Sequence, residues 1–408
     1  MTSRERILAA VQHRETDRLP IDCGAMRSTG IQAIAYHRLK QHLAIRGGHT
    51  RVFDIIQQLA EPEEFYLEQF GVDAINAGRE FPAEWRPWVL PDGSPCEVQA
   101  TVTLRRDNGD WLASGAGGLA QARMIGGSTY FSQDYWPMMG DDWQEQLATL
   151  PELMGATCWG GLAEPIYAGG LGDENLQRIA AHVRQLRARS DRAIMIAFGA
   201  NLYEWAAYLR RMDNFLMDLA AEPAAAEALL DKLVEVHVAG LDRLLPVLGD
   251  NVDLIQLGDD LGTQDGPFFS LEMFRQFFKP RYRAIIECIR RHNPNIIVFL
   301  HSCGSIYDYI PDLIDVGFQV LNPVQIGARN MEPERLKREF GRDVTFWGGA
   351  CDTQHVLSRG TPGEVRDHVR RNVDILAPGG GYVFNQVHNI LAEVPPENIL
   401  AMYEAAMG

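Results

Sequence analysis

From about residue 190 onward, short apolar runs alternate with longer helical segments, a rhythm that predicts βα units and a parallel sheet. The runs are AIMIAFG, VDLIQLGDD, NIIVFLHSCG, FQVLNPVQ, DVTFWGGACD and GGYVFNQVHN. Helix-like sequence follows each, for example SLEMFRQFFKPRYRAIIECIRRH and TPGEVRDHVRRNVDILA. Polar residues close nearly every run, where parallel barrels carry their chemistry. The expected fold class is α/β, a TIM-type (β/α)8 barrel.

The N-terminal half reads differently. Thr2 with Glu5 forms a capping-box pattern and Ile7, Leu8 and Val11 share a helical face, so a short helix opens the chain and ends before RLPID. A second helical pattern runs over about residues 52–70. Between about 81 and 135, apolar and polar residues alternate around the turn dipeptides Asp92-Gly93 and Asn108-Gly109, predicting an antiparallel β insertion, a lid or subdomain. One barrel domain over 1–408 carrying this insertion is expected, with two domains as the fallback.

With 408 residues and 46% hydrophobic content, the chain can fill such a core. Its 38 basic against 54 acidic residues argue against nucleic acid, which needs a dense Lys/Arg surface. No run of 18 uncharged apolar residues occurs and the N-terminus lacks the apolar core of a signal peptide, so a soluble, cytoplasmic protein without membrane partners is expected. In a reducing compartment the six cysteines (Cys23, Cys96, Cys158, Cys288, Cys303 and Cys351) read as free thiols or metal ligands. No glycine-rich phosphate fingerprint follows any strand, so a nucleotide cofactor has no support.

His301 and Cys303 close the IIVFL run two residues apart, and Cys351 follows VTFWGG. If both strands share one sheet, the three converge on one rim. Two thiolates and an imidazole suit Zn²⁺ and leave a fourth position open for substrate; the alternative is two packed core thiols beside a coincidental histidine. Asp259 and Asp260, with Gln264 after them, stand at another strand end as a fourth ligand, a general base, a substrate anchor or a helix N-cap, and Asp260 is the first catalytic candidate. His388 is placed to bind substrate or shuttle a proton, or to act as a structural hydrogen-bonder. Asn322, Asn385 and Tyr203 are candidate pocket liners, as are Glu204, Trp205 and the loop Met26–Gly30; His355 ranks low as a ligand.

Taken together, RERILAAVQHRETDRLPIDCG, DDLGTQDGPFFSLEMFRQFFKPRYRAII, HSCGSIYDYIPDLIDVGFQVLNPVQ, WGGACDTQHVLSRGTPGEVRDHVRRNV and FNQVHNILAEVPPENILAMYEA resemble the uroporphyrinogen decarboxylase superfamily. The likeness is closer to its zinc-dependent methyltransferase branch, which works with corrinoid proteins or coenzyme M. The resemblance implies zinc held by His301, Cys303 and Cys351. It further implies a small methyl donor such as a methoxylated aromatic, and a thiol or a corrinoid on a separate protein as the methyl partner. The decarboxylase branch uses an Arg-x-x-x-Arg loop for tetrapyrrole propionates; the matching stretch PIDCGAMRSTGI offers only Arg27. Asn385 and His388 fit a pattern shared across the superfamily. The competing expectations are a zinc-dependent thiol alkyltransferase opening an epoxide, a metal-free decarboxylase, and a zinc-sensing or ligand-binding protein on a retired scaffold. A homodimer is left open.

Overall fold

A computed structural model describes residues 1–115, 118 and 121–408, so positions 116, 117, 119 and 120 of the expected insertion lie outside the described residues. Seven parallel strands form the central sheet in chain order: β1 (Ala74–Asn76), β2 (Ala193–Gly199), β3 (Leu254–Gly258), β4 (Ile297–His301), β5 (Val320–Asn322), β6 (Thr345–Trp347) and β7 (Tyr382–Val383). The sheet curls until its edges meet a short extended segment, where Ile21 bridges Phe384 and Asp22 bridges Ala74, both in parallel. That eighth segment supplies the closure a TIM-type barrel requires.

The barrel interior is packed rather than hollow. Ala74, Ala193, Met195, Leu254, Ile297, Phe299, Val320, Trp347 and Val383 fill it, and Ile7, Ala10 and Val11 of α1 (Ser3–Val11) close its lower end. The capping box of Thr2 and Glu5 opens that helix as expected. Trp347 packs edge-on against Phe299, with ring centroids 5.3 Å apart, and its indole N–H donates to Asp22 Oδ2 at 2.8 Å.

Asp22 is fully buried, and burial pushes its carboxyl from 3.8 to about 7. A carboxyl raised in the fold favours the protonated state, so its contribution is full below about pH 4 and is lost as pH climbs to about 7. Denaturant titrations of wild type and Asp22→Asn from pH 4 to 8 should therefore show the variant gaining relative stability with pH; parallel curves would remove Asp22 as the cause.

Two expectations change. The stretch 52–70 is not one helix: Arg51–Asp54 and Leu59–Ala60 pair as antiparallel strands, and only Glu64–Gln69 is helical. Gln58 takes a positive φ of 57° and Pro62 follows, which interrupts helix before residue 64. Antiparallel pairs do occur within 81–135, but they belong to two four-stranded sheets. Trp85–Val89 and Pro95–Gln99 join the strands at residues 51–60, while Thr103–Asp107, Asp110–Ser114, Ala122–Met124 and Ser132–Gln133 form the other sheet. The β-rich region thus begins earlier in the chain than alternation alone indicated. Among the described residues no helix is long and apolar enough to cross a membrane.

Candidate active site at the C-terminal strand ends

His301 is the last residue of β4, and the turn after it brings Cys303 back toward the barrel axis. Its Nε2 lies 3.5 Å from Cys303 Sγ, and a ring nitrogen of His388 joins them with all three donor atoms within 4.8 Å of one another. The tautomer of His301 is fixed from below. Asn322 at the end of β5 donates its amide to the Trp347 carbonyl at 2.8 Å, which turns its oxygen to accept from His301 Nδ1 at 2.6 Å. With the proton on Nδ1, the Nε2 lone pair faces Cys303.

The donor set fits a zinc ion. At bond lengths of about 2.0 Å to nitrogen and about 2.3 Å to sulfur, tetrahedral zinc holds such ligands about 3.5 Å apart; His301 and Cys303 already stand at that distance, and His388 lies within 4.8 Å of both. Burial, then the neighbouring His301, lowers the His388 imidazole to about 4, leaving it neutral with a free lone pair. Burial together with Asp260 and Glu204 pushes the Cys303 thiol far up, so a cation that displaces its proton is the counter-charge this corner lacks.

Cys351 does not join the cluster. Gly348 and Gly349 take φ of 117° and 73° after β6, and the Cys351 that follows is buried, its carbonyl accepting the Val387 N–H at 3.0 Å. The donor atoms gathered within 4.8 Å of one another are those of His301, Cys303 and His388, and Cys351 is not among them.

Asp260 lines the site, accepts the Cys303 N–H at 2.8 Å and stands 3.6 Å from His301 Nε2. Its neighbour Asp259 turns the other way. Fully buried, Asp259 accepts the N–H groups of Leu202, Tyr203 and Glu204 and the Tyr282 hydroxyl, capping α2 (Tyr203–Arg210) after the neighbouring strand, and burial holds its carboxyl up at about 6. Of the two readings of the acidic pair, the N-cap applies to Asp259 and the site role to Asp260.

A cavity of about 490 Å³ opens beside the cluster, lined by Asp260, His301, His388, Glu204 and the aromatic side chains of Tyr130, Trp159, Phe198, Trp205 and Tyr208. A smaller cavity of about 130 Å³ lies on the other side, against Cys303, Gln325, Asp352, Gln354 and His388. His388 borders both, so the cluster stands between them.

Glu204 and Trp205, candidate liners from sequence, both face the larger cavity. Burial, with Asp260 and Asp259 nearby, pushes the Glu204 carboxyl up to about 8, and Tyr208 and Asn201 donate to it. Arg27 lines the larger cavity but is not free for a substrate anion. Its guanidinium lies 2.8 Å from Asp54 and 3.1 Å from Glu164 and rests over Trp159.

Three other expected liners stand elsewhere. Tyr203 is buried against Phe215, Phe268 and Phe269. Gln264 is exposed on a turn. Asn385 is wholly buried and donates to the Asp22 carbonyl, tying β7 to the closing segment. His355 is exposed beside Asp352. Asn322 is buried and acts through His301.

Residues 168–408, more than half of the chain, match the family described as uroporphyrinogen decarboxylase (URO-D). The chain belongs to this family. It is 25% identical over 244 residues to a uroporphyrinogen decarboxylase of Methylococcus capsulatus, covering 57% of this chain and 65% of that protein. It is 26% identical over 191 residues to one from Pelodictyon phaeoclathratiforme, covering 45% and 49%. The chain thus spans about half to two thirds of the length of these curated relatives. A solved methyltransferase from Methanosarcina mazei aligns over 100% of this chain and 98% of its own, with a TM-score of 0.55 at 17% identity, a likeness of fold. Within the URO-D family, Arg27 is thus a single arginine already neutralised by two carboxylates.

Proposed function

We propose that this URO-D family member is a zinc-dependent methyltransferase. It moves a methyl group from a small methylated donor, a methoxylated aromatic first among them, to a corrinoid protein or a thiol. The observation that carries the reading is the His301–Cys303–His388 cluster, spaced for tetrahedral zinc at the wall of an aromatic cavity. His301, Cys303 and His388 would hold the ion, and zinc so bound supplies Lewis-acid activation of a donor oxygen or an acceptor thiol.

The chain's own residues account for the rest. Trp159, Trp205, Tyr208 and Tyr130 give a planar donor apolar walls and exclude water. Asp260 fixes the Cys303 turn through its backbone N–H. As the methyl carbon leaves oxygen for the acceptor, the bonding pair stays on oxygen, and Glu204, protonated at neutral pH, faces the cavity to give that oxygen its proton. Arg27, tied to Asp54 and Glu164, counts against capture of tetrapyrrole propionates and so against decarboxylation.

The test is an assay of the zinc-loaded protein with a methoxylated aromatic, run with and without a reduced corrinoid protein. Phenol release and methylcorrinoid formation in equal amounts support the reading. Turnover of an epoxide with a thiol, independent of corrinoid, would replace it with the alkyltransferase. Zinc bound tightly with no turnover of either kind would overturn both and leave a binding protein.

A further inference from the structure

A second cluster of metal-ligating side chains lies on the opposite face of the molecule. Cys288 and His292 are four residues apart on α4 (Lys279–His292), one helical turn, so their side chains stack on the same face. Asp242 meets them from α3 (Pro223–Leu248). Asp242 Oδ1 lies 2.7 Å from His292 Nε2 and 3.3 Å from Cys288 Sγ, and the three donor atoms fall within 4.8 Å of one another. His292 precedes β4, whereas His301 ends it, so the barrel's length separates this cluster from the candidate active site.

We propose that Asp242, Cys288 and His292 form a second divalent-metal site, zinc by the softness of its donors, that clamps α3 to α4. A carboxylate, an imidazole and a thiol are each zinc ligands, and three of them leave one position for water. One carboxylate oxygen now accepts from both the ring nitrogen and the thiol. The two protons therefore occupy the space between the donors that a metal would take, and spreading the donors to about 3.5 Å suffices for tetrahedral coordination. Asp242 and His292 are side chains with 45% and 28% exposure and can make that adjustment, while the buried Cys288 fixes the site to the helix.

Charge also favours the ion: a thiolate and a carboxylate balance a divalent cation, and the last turn of a helix presents the negative end of its dipole. Arg291 is the cationic neighbour; it is exposed and now faces the Cys288 thiol and the Asp242 carboxylate, so the ion takes the place of its charge as the side chain turns into solvent.

The site is tested in the full chain by metal analysis and by cobalt substitution. Wild type dialysed against limiting zinc should hold two ions, and Cys288→Ser or His292→Ala should each hold one. In the His301→Ala/Cys303→Ser double variant, Co²⁺ should give a thiolate-to-cobalt charge-transfer band that disappears when Cys288→Ser is added. Cys288→Ser alone should leave methyl transfer at its wild-type rate, so a failed function and a failed second site remain distinguishable. A single zinc in wild type that Cys288→Ser does not reduce would overturn the proposal. A cobalt–thiolate band in the double variant that survives Cys288→Ser would do the same.

Discussion

Replacing Cys303 by serine, or His388 by alanine, is expected to remove one zinc ion per chain and to lower methyl transfer by about three orders of magnitude. That figure follows from the several kcal/mol that a Lewis acid contributes to a transition state. Cys351→Ser is expected to keep both zinc ions and most of the activity, because its thiol is not among the donors gathered around His301 Nε2. Mass-spectrometric metal analysis of the three variants beside their rates decides the matter. If Cys351→Ser lost its zinc while His388→Ala kept it, the ligand set read from sequence would be restored and the one drawn from geometry abandoned.

The largest effect on stability is expected at Asp259. Its carboxylate satisfies three backbone N–H groups at the start of α2 and the Tyr282 hydroxyl, all in the interior. Asp259→Ala leaves these donors without a partner at about 1–3 kcal/mol each, with incomplete additivity, so a loss of about 3–5 kcal/mol is expected. Tyr282→Phe removes only one of the bonds and should cost about 1 kcal/mol. Urea unfolding of both variants separates the two, and equal losses would mean that the cap does not hold α2 in place. Because α2 carries Glu204 into the cavity, Asp259→Ala should also reduce turnover in the fraction that remains folded.

The barrel was legible where strands are long and continuously apolar. β3 and β4 are buried along their whole length and β2 over its first four residues, and such runs stand out against amphipathic helices. β1, three residues in VDAINAG, and the strand at Arg51–Asp54 were not legible; they are held by pairing to distant strands rather than by local pattern. In the site, His301 and Cys303 were legible because both belong to one strand end. Cys351 was marked by the strand end before it, but the two glycines at positive φ that separate it from β6 set its position, and their conformation is not legible in the pattern. His388 was visible as a polar candidate, but its place beside Cys303 depends on β7 closing against the segment at Ile21 and Asp22. Glu204, Trp159 and Tyr208 come from helices or loops with no shared motif, and only the folded chain brings them to one cavity.

The helix that stops the lower end of the barrel has a kinetic consequence. With the barrel interior filled and Ile7, Ala10 and Val11 over that side, the cavity lies at the strand C-termini and is approached from there. In the proposed methyl transfer, a donor would enter there before a protein-borne acceptor settles over the cavity, and the demethylated product would leave only once the acceptor lifts away. Turnover would then follow a fixed queue, with excess acceptor slowing the enzyme by keeping the cavity covered.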